Sequence, residues 1–404
     1  AARIPGILVI LRRHCILKII WEENMEKTLE EKLQEVHEWS LKYYCEDTPE
    51  AKSLSLGYNA AVSDEARRIH KDSIIIDTCS FSLEGWDWHL EAAGLTGLNC
   101  TVIGTKDGIG DGIRNIVDYL GAINSNSDKL TLILKADDLL QAKKNGKTGI
   151  IIGSQSSQFL HHNDITAAVE VYARLGLRIT TIAYNWRTFS ADGCYTGDNA
   201  GITRDGRELI QAMEAYGVTV DLSHVGERST LDAMDVCTKP PVFSHSNPLA
   251  LNNHPRNITD EQAKKCAALG GCIGVTGFPV TLWEPGKPFP TIENYIDCVA
   301  YYADLVGIDH VGIGIDSNAN AGAYERRKVT QLSHTTTSLQ GTSNLGFAMN
   351  EAGMGVRAGF SDGIESLANI VHIIDHLLKR GFSEPDIKKV IGENWLRVFR
   401  ATWK

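Results

Sequence analysis

Residues 218–257, VTVDLSHVGERSTLDAMDVCTKPPVFSHSNPLALNNHPRN, hold two short apolar runs, 218–222 and 241–243. Each run ends on the same dipeptide, Ser223-His224 and Ser244-His245. Between them lies an amphipathic segment, 228–236, with the length and composition of a helix that connects two parallel strands. That connection puts His224 and His245 at the ends of neighbouring strands, where two imidazoles can converge on one point. A single histidine beside an apolar run is ordinarily a satisfied core residue. Two at equivalent ends of successive strand–helix units point instead to a metal or catalytic site.

The pattern extends outward from this stretch. Eight β-branched runs, 73–77, 99–103, 148–152, 178–182, 218–222, 241–243, 272–276 and 310–315, are each followed by a segment able to form a helix. Most are nearly continuous apolar runs, as strands buried on both faces of a parallel sheet require. Eight alternations favour an α/β fold of the (β/α)8 TIM-type barrel class over an open doubly wound sheet. The residues after the runs add a second argument. Thr78-Cys79-Ser80, Gly153-Ser154-Gln155, Ala183-Tyr184-Asn185, the two Ser-His pairs and Asp316-Ser317 gather reactive side chains at the carboxyl ends, where barrel enzymes place their chemistry.

The barrel is expected over 63–404. Ahead of it, residues 22–62 are rich in Glu and Lys, with Leu29, Leu33, Val36 and Trp39 at helical spacing, and read as a helical arm. Residues 1–21 read as a leader or extension; Arg12, Arg13, His14 and Lys18 interrupt them too often for a spanning helix. The polar stretch 317–362 reads as a long loop after the last strand, suited to a lid, a binding loop or an oligomer contact. GIGDG at 108–112 lacks the spacing and the Lys-Ser/Thr of a phosphate loop and reads as a flexible turn.

Composition narrows the function classes. A formal charge of −10 with no basic block argues against nucleic acid or an anionic membrane as the main partner. Nine scattered cysteines without a CxxC pair indicate neither a disulfide framework nor a structural zinc module, and suit reduced thiols in a cytoplasmic protein. The C-terminal VFRATWK carries no hydrophobic tail, so no lipid anchor is expected. A homodimer stays open.

Six motifs, VDLSHVG at 220–226, VFSHS at 242–246, HPRN at 254–257, GGCIGVT at 270–276, HVGIGID at 310–316 and GENWLRVF at 392–399, resemble those of the membrane (renal) dipeptidases, in that family's order. The resemblance runs from about residue 73 to the C-terminus. It implies a metal-dependent hydrolase on a (β/α)8 barrel, cleaving a dipeptide or related small amide with a metal-activated water. Carried over residue by residue, it makes His224 and His245 ligands of one metal and lets Asp316 handle the proton during bond cleavage. It assigns Arg256 to the carboxylate at the substrate's C-terminal end.

The departures fall on the metal site. Where the family's first strand ends in a His-x-Asp pair, this chain has Cys79-Ser80-Phe81; a bridging Glu is replaced by Gln155, and an oxyanion-stabilising His by Tyr184. One ion per chain is therefore expected rather than two, zinc being favoured, with Asp316, Gln155 or Cys79 closing the shell around His224 and His245. Cys79 is otherwise read as a small buried hydrophobe. Tyr184 is either an oxyanion donor or a strand-end aromatic closing the barrel top, and Tyr184 and Asn185 stand as substrate contacts. Two alternatives accompany the hydrolase: a lyase, isomerase or decarboxylase acting on a small carboxylate, and a barrel that has lost its chemistry.

Overall fold

The computed structural model describes residues 62–80, 90, 92–105, 107–161, 163–283, 287, 290–316, 361, 363–364 and 367–403. The expected leader, nearly all of the helical arm, Phe81 and nearly all of the 317–362 loop lie outside the described residues.

Nine parallel strands form one sheet: β1 (Ile76–Ser80), β2 (Gly97–Ile103), β3 (Leu130–Leu132), β4 (Thr148–Ser154), β5 (Leu177–Thr181), β6 (Thr219–Asp221), β7 (Val242–Phe243), β8 (Cys272–Val275) and β9 (Val311–Ile313). Their spatial order, β1-β2-β4-β5-β6-β7-β8-β9, follows the chain. The two ends of this path meet. Asp316 donates its backbone N–H to Cys79 O at 3.2 Å, and Thr78 Oγ1 donates to Ile313 O at 3.1 Å. Helices lie between successive strands, among them Ile165–Arg174, Arg204–Tyr216, Glu227–Val236, Asp260–Ala268 and Ile292–Val306. The expected (β/α)8 barrel is the fold, and the helix expected over 228–236 spans Glu227–Val236.

The strands are apolar on both faces because both are covered: side chains fill the barrel inside, and helices pack outside. At the floor, the Trp395 indole is wholly buried and donates to Ile313 O at 3.0 Å. Its ring lies where a Cβ on Gly312 would stand, 2.4 Å from the indole nitrogen.

Three expectations change. The first strand begins at Ile76 rather than 73, because Ser73 closes the preceding helix, Asp64–Asp72, by donating both its N–H and its hydroxyl to Ile69 O. Cys79 and Ser80 thereby become part of the strand. Next, β3 is a strand that the pattern of runs did not count. It pairs with the first half of β4 (Leu130↔Thr148, Leu132↔Ile150), while β5 pairs with the second half (Ile152↔Leu177). Finally, GIGDG is no turn. Gly108 caps a 17-residue helix, Ile109–Ser125, and Gly112 is required where the Tyr172 hydroxyl reaches Ile109 O, since a Cβ there would stand 2.6 Å from that oxygen.

Among the described residues no helix is long and apolar enough to cross a membrane.

Candidate metal centre and active site

The strands β6 and β7 deliver His224 and His245 to one point at the carboxyl end of the barrel, with Nε2 to Nε2 at 2.9 Å. The backbone there is tightly constrained. Ser244 O faces Gly274 and Gly314, where added Cβ atoms would come within 2.1 and 1.8 Å of it, and it accepts from Thr78 Oγ1 at 2.7 Å. The glycines of GGCIGVT and HVGIGID are thus what let the VFSHS turn press into the barrel.

Three residues at this mouth leave their strands through the left-handed region: Asn185 (φ 59°), His224 (φ 69°) and Asp316 (φ 64°). The fourth non-glycine residue with positive φ among those described is Asn199. Each such turn costs on the order of 1 kcal/mol or more, and its concentration here is the mark of a site whose side chains are aimed at the expense of backbone comfort.

The outer nitrogens of the two imidazoles fix their tautomers. His224 Nδ1 meets Asn185 Oδ1 at 2.7 Å; an amide oxygen only accepts, so Nδ1 carries the proton. His245 Nδ1 meets Ser244 Oγ at 2.7 Å, and that hydroxyl already donates its one proton to Asp221 Oδ2, so His245 Nδ1 also donates. Asp221 Oδ1 accepts from the N–H groups of Ser223 and Ser244, both at 3.0 Å, and the Ser223 hydroxyl accepts from His245 N at 3.0 Å. Burial, reinforced by the nearby Arg256 cation, holds both imidazoles well below the usual histidine range, so neither takes a second proton. Two neutral rings with Nδ1–H leave two Nε2 lone pairs facing one another. That arrangement repels unless a cation stands beside them, which is what a metal supplies. The donors present fit a divalent ion.

Around this pair the remaining residues take distinct places. The ligating atoms of Cys79, His245 and Asp316 lie within 4.8 Å of one another. Cys79 Sγ donates to Asp316 Oδ1 at 3.0 Å and accepts from Gln155 Nε2 at 3.3 Å, while Gln155 Nε2 also donates to Thr101 Oγ1 at 3.1 Å. Gln155 Oε1 is buried and has no hydrogen-bond partner among the described residues. Burial and the Asp316 charge push the Cys79 thiol well above its usual range, and burial lifts the Asp316 carboxyl to about 6 against the Cys79 hydrogen bond and Arg256. Tyr184, half-buried, stacks on His224 with ring centroids 4.1 Å apart. Asn185, read from sequence as a substrate contact, turns its carboxamide oxygen toward His224.

Arg256 is buried, and its Nη2 donates to His245 O at 3.1 Å, so the guanidinium lies directly behind the imidazole pair. Among the described residues no carboxylate pairs with it. A buried guanidinium is costly unless an anionic charge stands near it, and among the described residues the Asp316 carboxylate lies within its electrostatic reach.

Sequence reasoning did not assign Asp221 and Ser244. The signal was present, because serine precedes histidine in both Ser-His pairs and VDLSH supplies an aspartate three residues earlier. Their roles as orienters become visible only when β6 and β7 are adjacent.

Fold and site together define an α/β-barrel protein with a metal-capable centre and a buried arginine at its mouth. Residues 104–331 and 319–404 match the membrane dipeptidase family, peptidase family M19, and the chain belongs to that family. It is similar to dipeptidase tcpJ of Claviceps purpurea, 27% identical over 277 residues that cover 68% of this chain and 56% of the relative. To an uncharacterized dipeptidase, C965.12, of Schizosaccharomyces pombe it is 34% identical over 187 residues, 45% of this chain and 44% of the other. The chain thus spans about half the length of these curated relatives. The crystal structure of an amidohydrolase from Pseudomonas aeruginosa superposes with a TM-score of 0.70 at 31% identity, covering 84% of this chain and 99% of that one.

Proposed function

We propose that the protein is a metal-dependent hydrolase that cleaves dipeptides or related small amides carrying a free carboxylate. The observation that carries this reading is the pair of Nε2 lone pairs facing one another at 2.9 Å, with Asp316 beside them and the buried Arg256 cation behind. His224 and His245 hold one divalent ion, zinc being favoured, and Asp316, Gln155 and Cys79 are the candidates to complete its shell. When bound, that ion lowers the pKa of water and polarises a carbonyl.

The chain's own residues do the rest. Arg256 reads the substrate's terminal carboxylate with a planar fork of donors and so fixes which amide enters the site. Asp316, whose carboxyl is lifted toward neutrality, takes a proton from water and returns it to the departing amine. Tyr184, held by its stacking on His224, offers an O–H to the oxyanion. The described cysteines are all unpaired, which suits a reducing compartment such as the cytoplasm.

The test loads the purified chain with zinc and offers it a panel of dipeptides as free acids and as C-terminal amides, in isotope-labelled water. The expected result is cleavage of free-acid dipeptides with one labelled oxygen in the new carboxylate, and little or no cleavage of the amides. Conversion of a small carboxylate without label uptake would replace this reading with a lyase, isomerase or decarboxylase. Retained metal with no turnover across the panel would replace it with a non-catalytic barrel.

A further inference from the structure

We propose that Cys79 is a thiolate ligand in a single-ion centre shared with His245 and Asp316, beside His224, and that Gln155 fills the space a second ion would need. The proposal rests on the reading of a metal at the two histidines and names the rest of its shell.

Three observations carry it. First, Cys79 does not have the surroundings of a small core hydrophobe. Its sulfur is wholly buried yet lies between a carboxylate and an amide, 3.0 Å from Asp316 Oδ1 and 3.3 Å from Gln155 Nε2. Cys266, by contrast, sits in the hydrophobic core and hydrogen-bonds the Pro241 carbonyl at 3.4 Å. Second, the spacing suits one ion. Tetrahedral bonds of about 2.0–2.3 Å set ligand atoms roughly 3.2–3.7 Å apart. The Cys79, His245 and Asp316 atoms already fall within 4.8 Å of one another, which leaves a fourth position open to water, and His224 Nε2 stands 2.9 Å from His245. Third, the charges count to one. A thiolate and a carboxylate beside two neutral imidazoles balance a single divalent cation.

Gln155 excludes a second ion from the opposite side. Its Nε2 points two donors at Cys79 and Thr101, and an N–H cannot face a cation. Its Oε1, in a side chain 4% exposed, has no hydrogen-bond partner among the described residues and is free to take a water. Ligation exchanges the Cys79 S–H bond for a sulfur–metal bond, and the released proton leaves through Asp316, which already accepts it, to solvent. A thiolate in the shell shifts preference toward zinc, cobalt(II) and cadmium and away from magnesium and manganese.

Cobalt(II) titrated into the metal-stripped full chain is the direct probe. The expected result is one cobalt per chain, with visible d–d bands and an intense near-ultraviolet sulfur-to-cobalt charge-transfer band. Cys79→Ser should remove the charge-transfer band and leave the d–d bands, while His245→Ala should remove both. Cobalt bound one per chain without the charge-transfer band would overturn the thiolate while leaving the metal reading intact. Two cobalt ions per chain would overturn the single-ion centre. No binding at all would overturn this proposal together with the metal reading. Should Cys79→Ser fail to fold, X-ray absorption at the zinc edge of the unaltered protein decides alone: a sulfur shell at about 2.3 Å supports the thiolate, and a shell of only nitrogen and oxygen overturns it.

Discussion

The two halves of the barrel mouth are built on different terms. On the β6–β7 side, each imidazole is held by a partner that is itself held: Asn185 behind His224, and Ser244 on Asp221 behind His245. On the β1–β4 side, Cys79, Gln155 and Thr101 bond one another in a chain that leaves one buried amide oxygen over. The first half leaves its lone pairs uncommitted and waiting for a cation, whereas the second spends most of its polar atoms internally. The orienting groups behind His224 and His245 are what would hold those two imidazoles ready for an ion, whatever the opposite half contributes.

The comparison can be broken most severely at the ligands. His245→Ala should abolish metal retention and bring turnover to background while circular dichroism keeps its native shape; a variant with full metal content would dismantle the β6–β7 half as described. Arg256→Met comes next. Losing the anion's partner should lower kcat/KM by about 30–1,000-fold, mostly through KM, on the scale of 2–4 kcal/mol for a buried charge contact. Equal losses for substrates with and without a free carboxylate would show that Arg256 acts by some other route.

The support behind the ligands gives a finer test. Asp221→Asn should weaken metal binding by about 10–100-fold, since it disturbs the hydroxyl that orients His245. Thr101→Val, which touches the opposite half only through Gln155, should cost less than about tenfold. Metal titration by competition with a chelator ranks the two, and a reversed order would erase the asymmetry.

The smallest effect is expected far from the mouth. Asp375 accepts from Ser63 N at 2.9 Å and from its hydroxyl at 2.6 Å, tying the cap of helix Asp64–Asp72 to helix Ile370–Lys379. Against the upward push of burial, Lys379 and Ser63 hold this carboxyl down at about 2. Its folded value lies below the ordinary one, so the stability it adds is present above about pH 4 and fades as pH falls through about 2. Asp375→Asn should cost about 1–2 kcal/mol near neutrality and progressively less in acid, with metal content unchanged. A constant deficit at all pH values in thermal melts would mean the loss is one of packing.

Much of the fold is written locally. Runs buried on both faces announce parallel strands, and the amphipathic segments between them announce the outer helices, because both signals depend only on which side chains neighbours must cover. β3 escaped because three residues, Leu130–Leu132, carry too little pattern; only the uncovered edge of β4 makes them a strand. β1 slipped because Ser73 reads as the start of an apolar run until the helix before it claims both its donors. GIGDG misled because glycine commonly marks a turn, whereas here Gly112 makes room for a tyrosine 60 residues away in sequence, Tyr172.

Residue order along the chain was enough for the (β/α)8 class and for the two histidines at equivalent strand ends. Tertiary structure alone decided that the two Nε2 atoms face one another, that Asp221 governs His245 through a serine, and that Cys79 lies between Asp316 and Gln155. Those relations join strands up to 237 residues apart in the chain. They exist because the barrel closes and its glycines let the strand ends crowd together, and hydrogen-bond direction, which fixes where each lone pair points, is a property of that closed ring.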